Sequence, residues 1–211
     1  MKRYLIIIGL LLSGLFAQTT RVQFVSGQVT IKKDLNQKEW LPVKTNDLVP
    51  DKSVVKTGSD SNCDLVLSDG SQVKVYENAM LQVSATAVPD QPKISCFALL
   101  GNFFFKIKTN TAVFEVKSPT SLATIQGTEF SLSNTRTSSE IRVKKGTVQF
   151  GDHNGANPVI VKEGQKSVAQ KDIPPTMPMA MNASELAQLN QWSGESSEGK
   201  TTPPATAAPD H

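Results

Sequence analysis

Two cysteines are the residues of this chain whose chemistry is simplest to state. Cys63 and Cys96 could close one disulfide bond, which would stabilise an exported protein by constraining its unfolded chain. They could equally be two buried, unpaired thiols, because the sequence gives no distance between them. The chain has no CxxC motif, so a redox-active pair is not predicted. Both structural alternatives stay open at this point.

Histidine and carboxylate spacing indicates neither a catalytic site nor a metal site. The two histidines are His153, in a Gly-Asp-His-Asn-Gly turn, and His211, at the end of the sequence. No Gly-x-Ser-x-Gly elbow accompanies His153, and Asp60, Asp64 and Asp69 lack the spacing of a calcium loop. We therefore predict a non-enzymatic protein with no catalytic residues, no cofactor and no bound metal.

The first 17 residues have the pattern of an export signal. Lys2 and Arg3 give a positive start, Tyr4 to Phe16 is a mostly apolar run, and Ala17 is the small residue before the expected cleavage point. The run is shorter than the roughly 20 residues that span a bilayer, so cleavage is expected, with an uncleaved anchor as the alternative. We predict a periplasmic or extracellular protein without a stable membrane span after cleavage.

Charge indicates the class of partner. The formal net charge is +3, and without Lys2 and Arg3 it falls to +1, with 20 basic against 19 acidic residues. The basic residues are scattered, and no run of them marks a surface for nucleic acid or an anionic membrane. We therefore expect no nucleic-acid partner, and favour another cell-envelope protein, with a glycan as a possible ligand.

Alternation of apolar and polar residues dominates the chain from Arg21 onward. Cys63, Leu65 and Leu67 fall on one face of a predicted strand, and Asp69-Gly70 is a typical tight hairpin turn. Strand-length segments of this kind recur about every 8 to 12 residues, which favours a β-sandwich or barrel. A β-solenoid is the alternative, because a pattern of strand, glycine and strand recurs.

The segment from Ile94 to Ile107 is the most apolar part of the predicted domain. Ile94 to Leu100 predicts a strand that is buried on both faces. Gly101-Asn102 is expected to turn the chain into a second strand over Phe103 to Ile107. Three consecutive phenylalanines in that second strand favour core packing over a ligand box.

Composition divides the chain into four parts. Residues 1–17 are the predicted signal peptide, and residues 18–172 are the predicted β domain. Residues 173–192 form a predicted Pro-rich linker and short helix. Residues 193–211 are rich in Gly, Ser, Thr, Pro and Ala, which predicts a disordered tail.

The predicted helix has a start signal and one apolar face. Asn182 is the predicted N-cap, and Glu185 follows three residues later, as in a capping box. Leu186, Leu189 and Trp192 would share a face. That face could dock on the β domain, or it could contact a partner protein.

Four segments in order resemble the FecR domain of bacterial cell-envelope proteins. They lie around Gly27 and Trp40, from Val55 to Ser71, from Leu99 to Pro119, and from Gly127 to Gln165, and the resemblance covers most of residues 21 to 170. The positions that carry it are Gly27, Trp40, Thr57, Gly58, Asp69, Gly70, Gly101, Pro119, Gly127, Thr128, Glu129, Phe130, Gly146 and Gly164.

The resemblance implies an all-β, jelly-roll-like sandwich outside the cytoplasm. In the best-known members of the family, this domain belongs to a membrane regulator that relays a signal from an outer-membrane transporter to a cytoplasmic sigma factor. Only three residues precede the apolar run here, so we expect a stand-alone exported domain without that relay. Glu129 is expected either to contact a ligand or, more simply, to accept backbone N–H bonds from a turn.

Three functions follow as alternatives. The first is a protein-binding or scaffolding module of the cell envelope, with signal sensing as a refinement. The second is a carbohydrate- or cell-wall-binding module, for which Trp40 and Tyr76 are the aromatic candidates inside the domain. The third is a membrane-anchored signalling component related to sigma-factor regulators, with the apolar run at residues 4–16 as its anchor.

Overall fold

The computed structural model of the chain describes residues 19–33, 37–86, 93–108 and 113–194. The predicted signal peptide and residues 195–211 of the predicted tail lie outside the described residues. Within the described ranges, no helix has the length and apolar character needed to cross a membrane.

Alternating sequence patterns become strands throughout, and the described residues form seventeen strands and one helix. They are β1 Thr20–Ser26, β2 Val29–Lys32, β3 Leu41–Pro42, β4 Leu48–Val49, β5 Val54–Thr57, β6 Asn62–Val66, β7 Gln72–Val75, β8 Met80–Thr86, β9 Lys93–Lys106, β10 Val113–Lys117, β11 Ser121–Ile125, β12 Glu129–Asn134, β13 Ser138–Lys145, β14 Thr147–Asp152, β15 Val159–Lys162, β16 Gln165–Gln170, β17 Met179–Ala180 and α1 Ala183–Gly194.

The strands form two sheets that share one long strand. Sheet A has the order β4-β1-β6-β7-β9-β12-β13-β16-β17. Sheet B has the order β3-β2-β5-β8-β9-β10-β11-β14-β15. Every pairing among these strands is antiparallel except β9 with β10. The predicted all-β sandwich is confirmed. The chain passes repeatedly between the sheets, as in a jelly roll, whereas a β-solenoid would need parallel coils.

Strand β9 connects the two sheets. Its first half pairs with β8 and β10 in sheet B, and its second half pairs with β7 and β12 in sheet A. Gly101 lies between the halves with a φ of 101°, and a Cβ there would overlap Ala79. Only glycine fits such a left-handed bend. The predicted turn at Gly101-Asn102 is therefore wrong, because the chain bends there without leaving the strand.

The first half of β9 also differs from its prediction. Ile94, Cys96 and Ala98 are buried between the sheets, but Phe97 and Leu99 are only half-buried on the outer face of sheet B. The strand is thus buried on one face rather than on both. Large apolar side chains on the outward positions hid the alternation in the sequence.

The core lies between the two sheets and is rich in phenylalanine. Phe105 of sheet A stacks on Phe130 with ring centroids 4.9 Å apart, and its edge meets Phe114 of sheet B at 6.4 Å. All three side chains are at most 2% exposed. Aromatic rings in these geometries add to the free energy gained by burying their surface. This cluster therefore holds the two sheets together.

The segment after β16 adds to sheet A before the helix begins. Gln170 and Ile173 form an isolated bridge, and β17 pairs with the start of β16. The segment predicted as a Pro-rich linker thus contains a short edge strand. Helix α1 begins at Ala183, as predicted, and ends at Gly194, two residues inside the predicted tail.

Candidate functional site

Helix α1 lies against the outer face of sheet A, and its start is fixed by a complete capping box. The Glu185 backbone N–H donates to Asn182 Oδ1 at 2.9 Å. The Asn182 backbone N–H donates to Glu185 Oε2 at 2.9 Å in return. These reciprocal bonds satisfy backbone donors that a helix start leaves unpaired, so Asn182 is confirmed as the N-cap.

A small apolar cluster, separate from the core, holds the helix to the sheet. It contains Tyr76, Phe104, Met181 and Leu189, with Trp192 packed against them. The Tyr76 and Trp192 rings lie 5.0 Å apart, and the Tyr76 hydroxyl donates to the Trp192 backbone carbonyl at 3.2 Å. Leu189 is the most deeply buried side chain of the helix, at 1% exposure.

A polar network surrounds that cluster. Arg142 of β13 donates from Nη1 to Gln188 Oε1 at 2.7 Å, and its Nε donates to Glu140 Oε1 at 2.5 Å. Lys166 of β16 donates to Glu185 Oε1. This bond from Lys166, followed by the Asn182 backbone N–H, lowers the pKa of Glu185 below its ordinary value. Glu185 is therefore held ionised between the helix and the sheet.

The predicted partner-contact residues are divided by this docking. Leu189 and Trp192 pack on the protein's own sheet A, whereas Leu186 remains 38% exposed. Docking on the β domain is thus the alternative that the structure shows. Sequence reasoning missed the sheet residues that receive the helix, Arg142 and Lys166, because polar residues alternating along a strand are the usual signature of a solvent-facing side.

The two cysteines lie in different sheets as free, buried thiols. Cys63 belongs to β6 of sheet A, and Cys96 belongs to the sheet B half of β9. The possible disulfide is therefore not formed, and the alternative of two unpaired thiols is what the structure shows. Burial, with a smaller contribution from Asp64, raises the pKa of Cys63 to about 12, and burial also raises that of Cys96. Both thiols stay protonated near neutral pH.

Several family-motif residues join turns to strands. The Thr57 hydroxyl donates to the Tyr76 backbone carbonyl at 2.5 Å and accepts from the Ala79 N–H at 3.0 Å, so it ties β5 to the turn before β8. Gly27 has a φ of 74°, and a Cβ there would overlap Ser61. Both residues are thus structural.

The Gly127-Thr128-Glu129-Phe130 segment also has structural partners. A Cβ on Gly146 would overlap the Thr128 side chain, so these two turns lie against each other. Phe130 lies in the core. Glu129 Oε1 lies 3.7 Å from Lys106 Nζ, its cross-strand neighbour in β9. The structure thus pairs Glu129 with a strand lysine rather than with turn N–H groups.

The remaining motif positions lie in turns at the surface. Asp69 accepts from the Ser71 backbone N–H at 2.8 Å, which closes the predicted hairpin turn at Gly70. Pro119 is exposed in the turn between β10 and β11. The Gly164 N–H donates to the Val143 carbonyl at 3.0 Å. The Gly58 N–H donates to the Gln28 carbonyl at 2.9 Å.

The two aromatic residues expected to serve a glycan are in unlike environments. Tyr76 is only 7% exposed and packs under α1, so it cannot stack on a sugar. Trp40 is half-buried between two lysines, with Lys32 Nζ 5.3 Å and Lys56 Nζ 5.5 Å from its ring centroid. Cation–π contacts of this kind stabilise the edge of sheet B.

The described part of the sandwich has four edge strands of unequal length. Edge strands β3, β4 and β17 have two residues each, whereas β15 has four. The outward-facing residue of β15, Ile160, is 50% exposed. Sequence reasoning gave no weight to this strand, although the run Val159-Ile160-Val161 puts an apolar residue at an outward position.

Across residues 19–33, 37–86, 93–108 and 113–194, no group of three His, Cys, Asp or Glu side chains could hold a metal ion.

Comparison with known proteins finds a matching family and similar solved structures. Residues 53–149 match the family described as FecR protein. Two crystal structures of a candidate anti-sigma factor from Parabacteroides distasonis ATCC 8503, at 1.65 and 2.50 Å resolution, each superpose with a TM-score of 0.54 at 13% identity. Each alignment covers 65% of this chain and 64% of that protein, so the match spans less than two thirds of its length. No functionally curated protein matches the sequence. The likeness to the solved structures shows a shared fold, and residues 53–149 are similar to the FecR protein family.

Proposed function

We propose that this protein is a non-catalytic, exported FecR-domain module that binds another protein of the cell envelope and serves in signalling. The FecR match and the anti-sigma-factor structures support a role related to signalling. The export-signal pattern of residues 1–17 supports a location outside the cytoplasm. A shared fold does not by itself establish a function, so the proposal depends on a surface that could bind a partner.

The observation that carries the proposal is the edge of sheet B at β15. This strand pairs with β14 on one side, and no described strand pairs with its other side. An edge strand offers backbone N–H and C=O groups to an incoming strand. Ile160 adds a half-exposed apolar side chain to that edge. We expect a partner to add a strand there and to bury Ile160.

The experiment is in-cell crosslinking of the tagged full-length protein, followed by affinity purification from the envelope fraction. We expect a dominant envelope protein in the purified material. Ile160→Lys should lower its recovery about tenfold, because it loses roughly 1.5–3 kcal/mol of apolar burial and puts a charge in the contact.

Ile173→Lys is the matched control. Ile173 is 53% exposed, close to the 50% of Ile160, but it lies beyond β16 at the opposite sheet. Recovery should therefore be unchanged in this variant. Equal recovery from the Ile160→Lys protein and the wild type would show that β15 is not the contact. Recovery of no envelope protein from any variant would contradict the binding function itself.

A further inference from the structure

The outer face of sheet A beneath α1 is built as a row of side chains from neighbouring strands. Phe104, Ser131 and Arg142 are direct cross-strand neighbours on β9, β12 and β13. Lys166 on β16 is the next neighbour of Arg142. Residues paired in this way point to the same side of a sheet, so the row offers one aromatic ring, one hydroxyl and two cations. With Lys144 of β13 it forms a receptor face, defined as Phe104, Ser131, Arg142, Lys144 and Lys166.

Helix α1 does not match the charge of this receptor face. Three cations of the face contact the helix, and the helix meets them with one carboxylate, Glu185, which pairs with Lys166 and lies 3.9 Å from Arg142. Arg142 also pairs with Glu140 of its own strand, so the unmatched charge is at Lys144. Among the described residues, Lys144 bonds the neutral hydroxyl of Ser193 and has no carboxylate partner. Charge-assisted bonds to a carboxylate are stronger than bonds to a hydroxyl. A carboxylate at the position of Ser193 would therefore improve the fit.

One polar atom of the face is also left without a partner under the helix. Ser131 is 0% exposed, and its Oγ has no hydrogen-bond partner in the described structure. Burying a hydroxyl without a partner carries a desolvation cost, so the docked helix is not an optimal occupant.

The helix is held by few apolar contacts. Leu189 is the one buried side chain of α1, and Leu186 on the same helix is 38% exposed. The chain that leads to the helix is held at β17, a strand of two residues. Exchange of this helix for a better-matched one would leave the inter-sheet core intact, because the two apolar clusters are separate.

We propose that the receptor face is a recognition site for an acidic amphipathic helix of a partner protein, and that α1 is a resident competitor for it. The partner helix would place apolar residues where Leu189 and Trp192 lie, and carboxylates opposite Arg142, Lys166 and Lys144. This inference goes beyond the proposed function, because the receptor face lies on sheet A and is separate from the β15 edge of sheet B. Docking of α1 then regulates access to the face.

The test uses two labelled peptides and the full-length protein. One peptide has the native sequence of residues 181–194, and the other has the same sequence with Ser193→Glu. Fluorescence anisotropy measures their binding to the wild type and to Leu189→Ala, which weakens docking of α1 without altering the receptor face. We expect the Ser193→Glu peptide to bind the Leu189→Ala protein at least tenfold more tightly than it binds the wild-type protein. We also expect it to bind the Leu189→Ala protein more tightly than the native peptide binds that protein.

Charge reversals identify the face. Lys144→Glu in the Leu189→Ala background should weaken binding of the Ser193→Glu peptide about tenfold. Lys44→Glu, at an exposed lysine between β3 and β4, is the matched control and should leave binding unchanged. Trp192→Ala is a second way to release the helix. Equal binding to wild type and both released variants, or no binding to any of them, would overturn the proposal.

This outcome can be separated from that of the proposed function. If the Ser193→Glu peptide binds as expected but no envelope protein is recovered in cells, the receptor face stands and the envelope-binding function fails. If an envelope protein is recovered through Ile160 and neither peptide binds, the envelope-binding function stands and the receptor face is wrong.

Discussion

The two faces of strand β9 make a natural comparison. Phe103 and Phe105 point between the sheets and are 0% exposed, whereas Phe104 points outward and is covered by helix α1. Neighbouring residues of one strand thus belong to two different apolar clusters. The first cluster is enclosed by two sheets, and the second is closed by one helix at the end of the described chain. The cluster between the sheets must stay packed for the domain to remain folded, whereas the cluster under α1 can open when the helix leaves the sheet.

The comparison has an energetic side. Phe105 meets rings from its own sheet and from sheet B, so removing it leaves a cavity that neither sheet can fill. Leu189 faces one sheet surface, and water can replace it there if the helix moves away. Local opening of such an element needs much less free energy than global unfolding.

The largest effect is expected in the core. Phe105→Ala should lower the free energy of unfolding by about 3–5 kcal/mol, because it removes a fully buried ring and leaves a cavity. Urea unfolding monitored by circular dichroism measures this change. Phe97→Ala is the control, since Phe97 lies on the same strand but is only half-buried on the outer face of sheet B. Equal losses in the two variants would contradict the assignment of Phe105 to the core.

The core is also the part that the sequence predicted best. Alternation over Cys63 to Leu67 and the Asp69-Gly70 turn gave β6, its buried face and the hairpin to β7, because these features depend on local chemistry. Asn182 and Glu185 gave the helix start for the same reason. Strands, tight turns and helix starts could therefore be predicted where residues close in the sequence determine them.

The errors came from contacts between distant segments. The Gly101 bend is decided by Ala79, and the environment of Tyr76 is decided by Trp192, 116 positions away. The receptor face could not be foreseen, because Arg142 and Lys144 have the pattern of an ordinary solvated strand face. Only the position of the helix above them distinguishes that face from any other.

An intermediate, local effect is expected from Leu189→Ala. It should weaken docking of α1 by about 2 kcal/mol and leave the urea midpoint of the sandwich nearly unchanged, because Leu189 lies outside the inter-sheet core. Hydrogen exchange over residues 183–194 should accelerate about 30-fold, which corresponds to that free energy. Leu186→Ala is the control and should have little effect, since Leu186 is already exposed. A parallel loss of global stability in Leu189→Ala would show that helix and sandwich unfold as one unit.

The smallest effect is expected from the charge that joins helix and sheet. The hydrogen bond from Lys166, and then the Asn182 N–H, hold the pKa of Glu185 below its ordinary value, so the folded state binds a proton there less readily than the unfolded state. The stabilisation is fully present above the unfolded pKa of about 4.3, and it is lost as the pH falls through the lower folded value. We expect docking of α1 to weaken below about pH 4, by less than roughly 1 kcal/mol, since the ion pair lies near the surface.

Trp192 fluorescence in a Trp40→Phe background reports this docking between pH 3 and pH 7, because the chain has only these two tryptophans. Glu185→Gln should abolish the pH dependence while keeping much of the capping box, since Gln can replace Glu at this position of the box. Glu163→Gln, at an exposed position, should retain the pH dependence. A profile that stays the same in Glu185→Gln would mean that apolar packing alone holds the helix, and the contrast between the two clusters would then rest on the depth of burial rather than on charge.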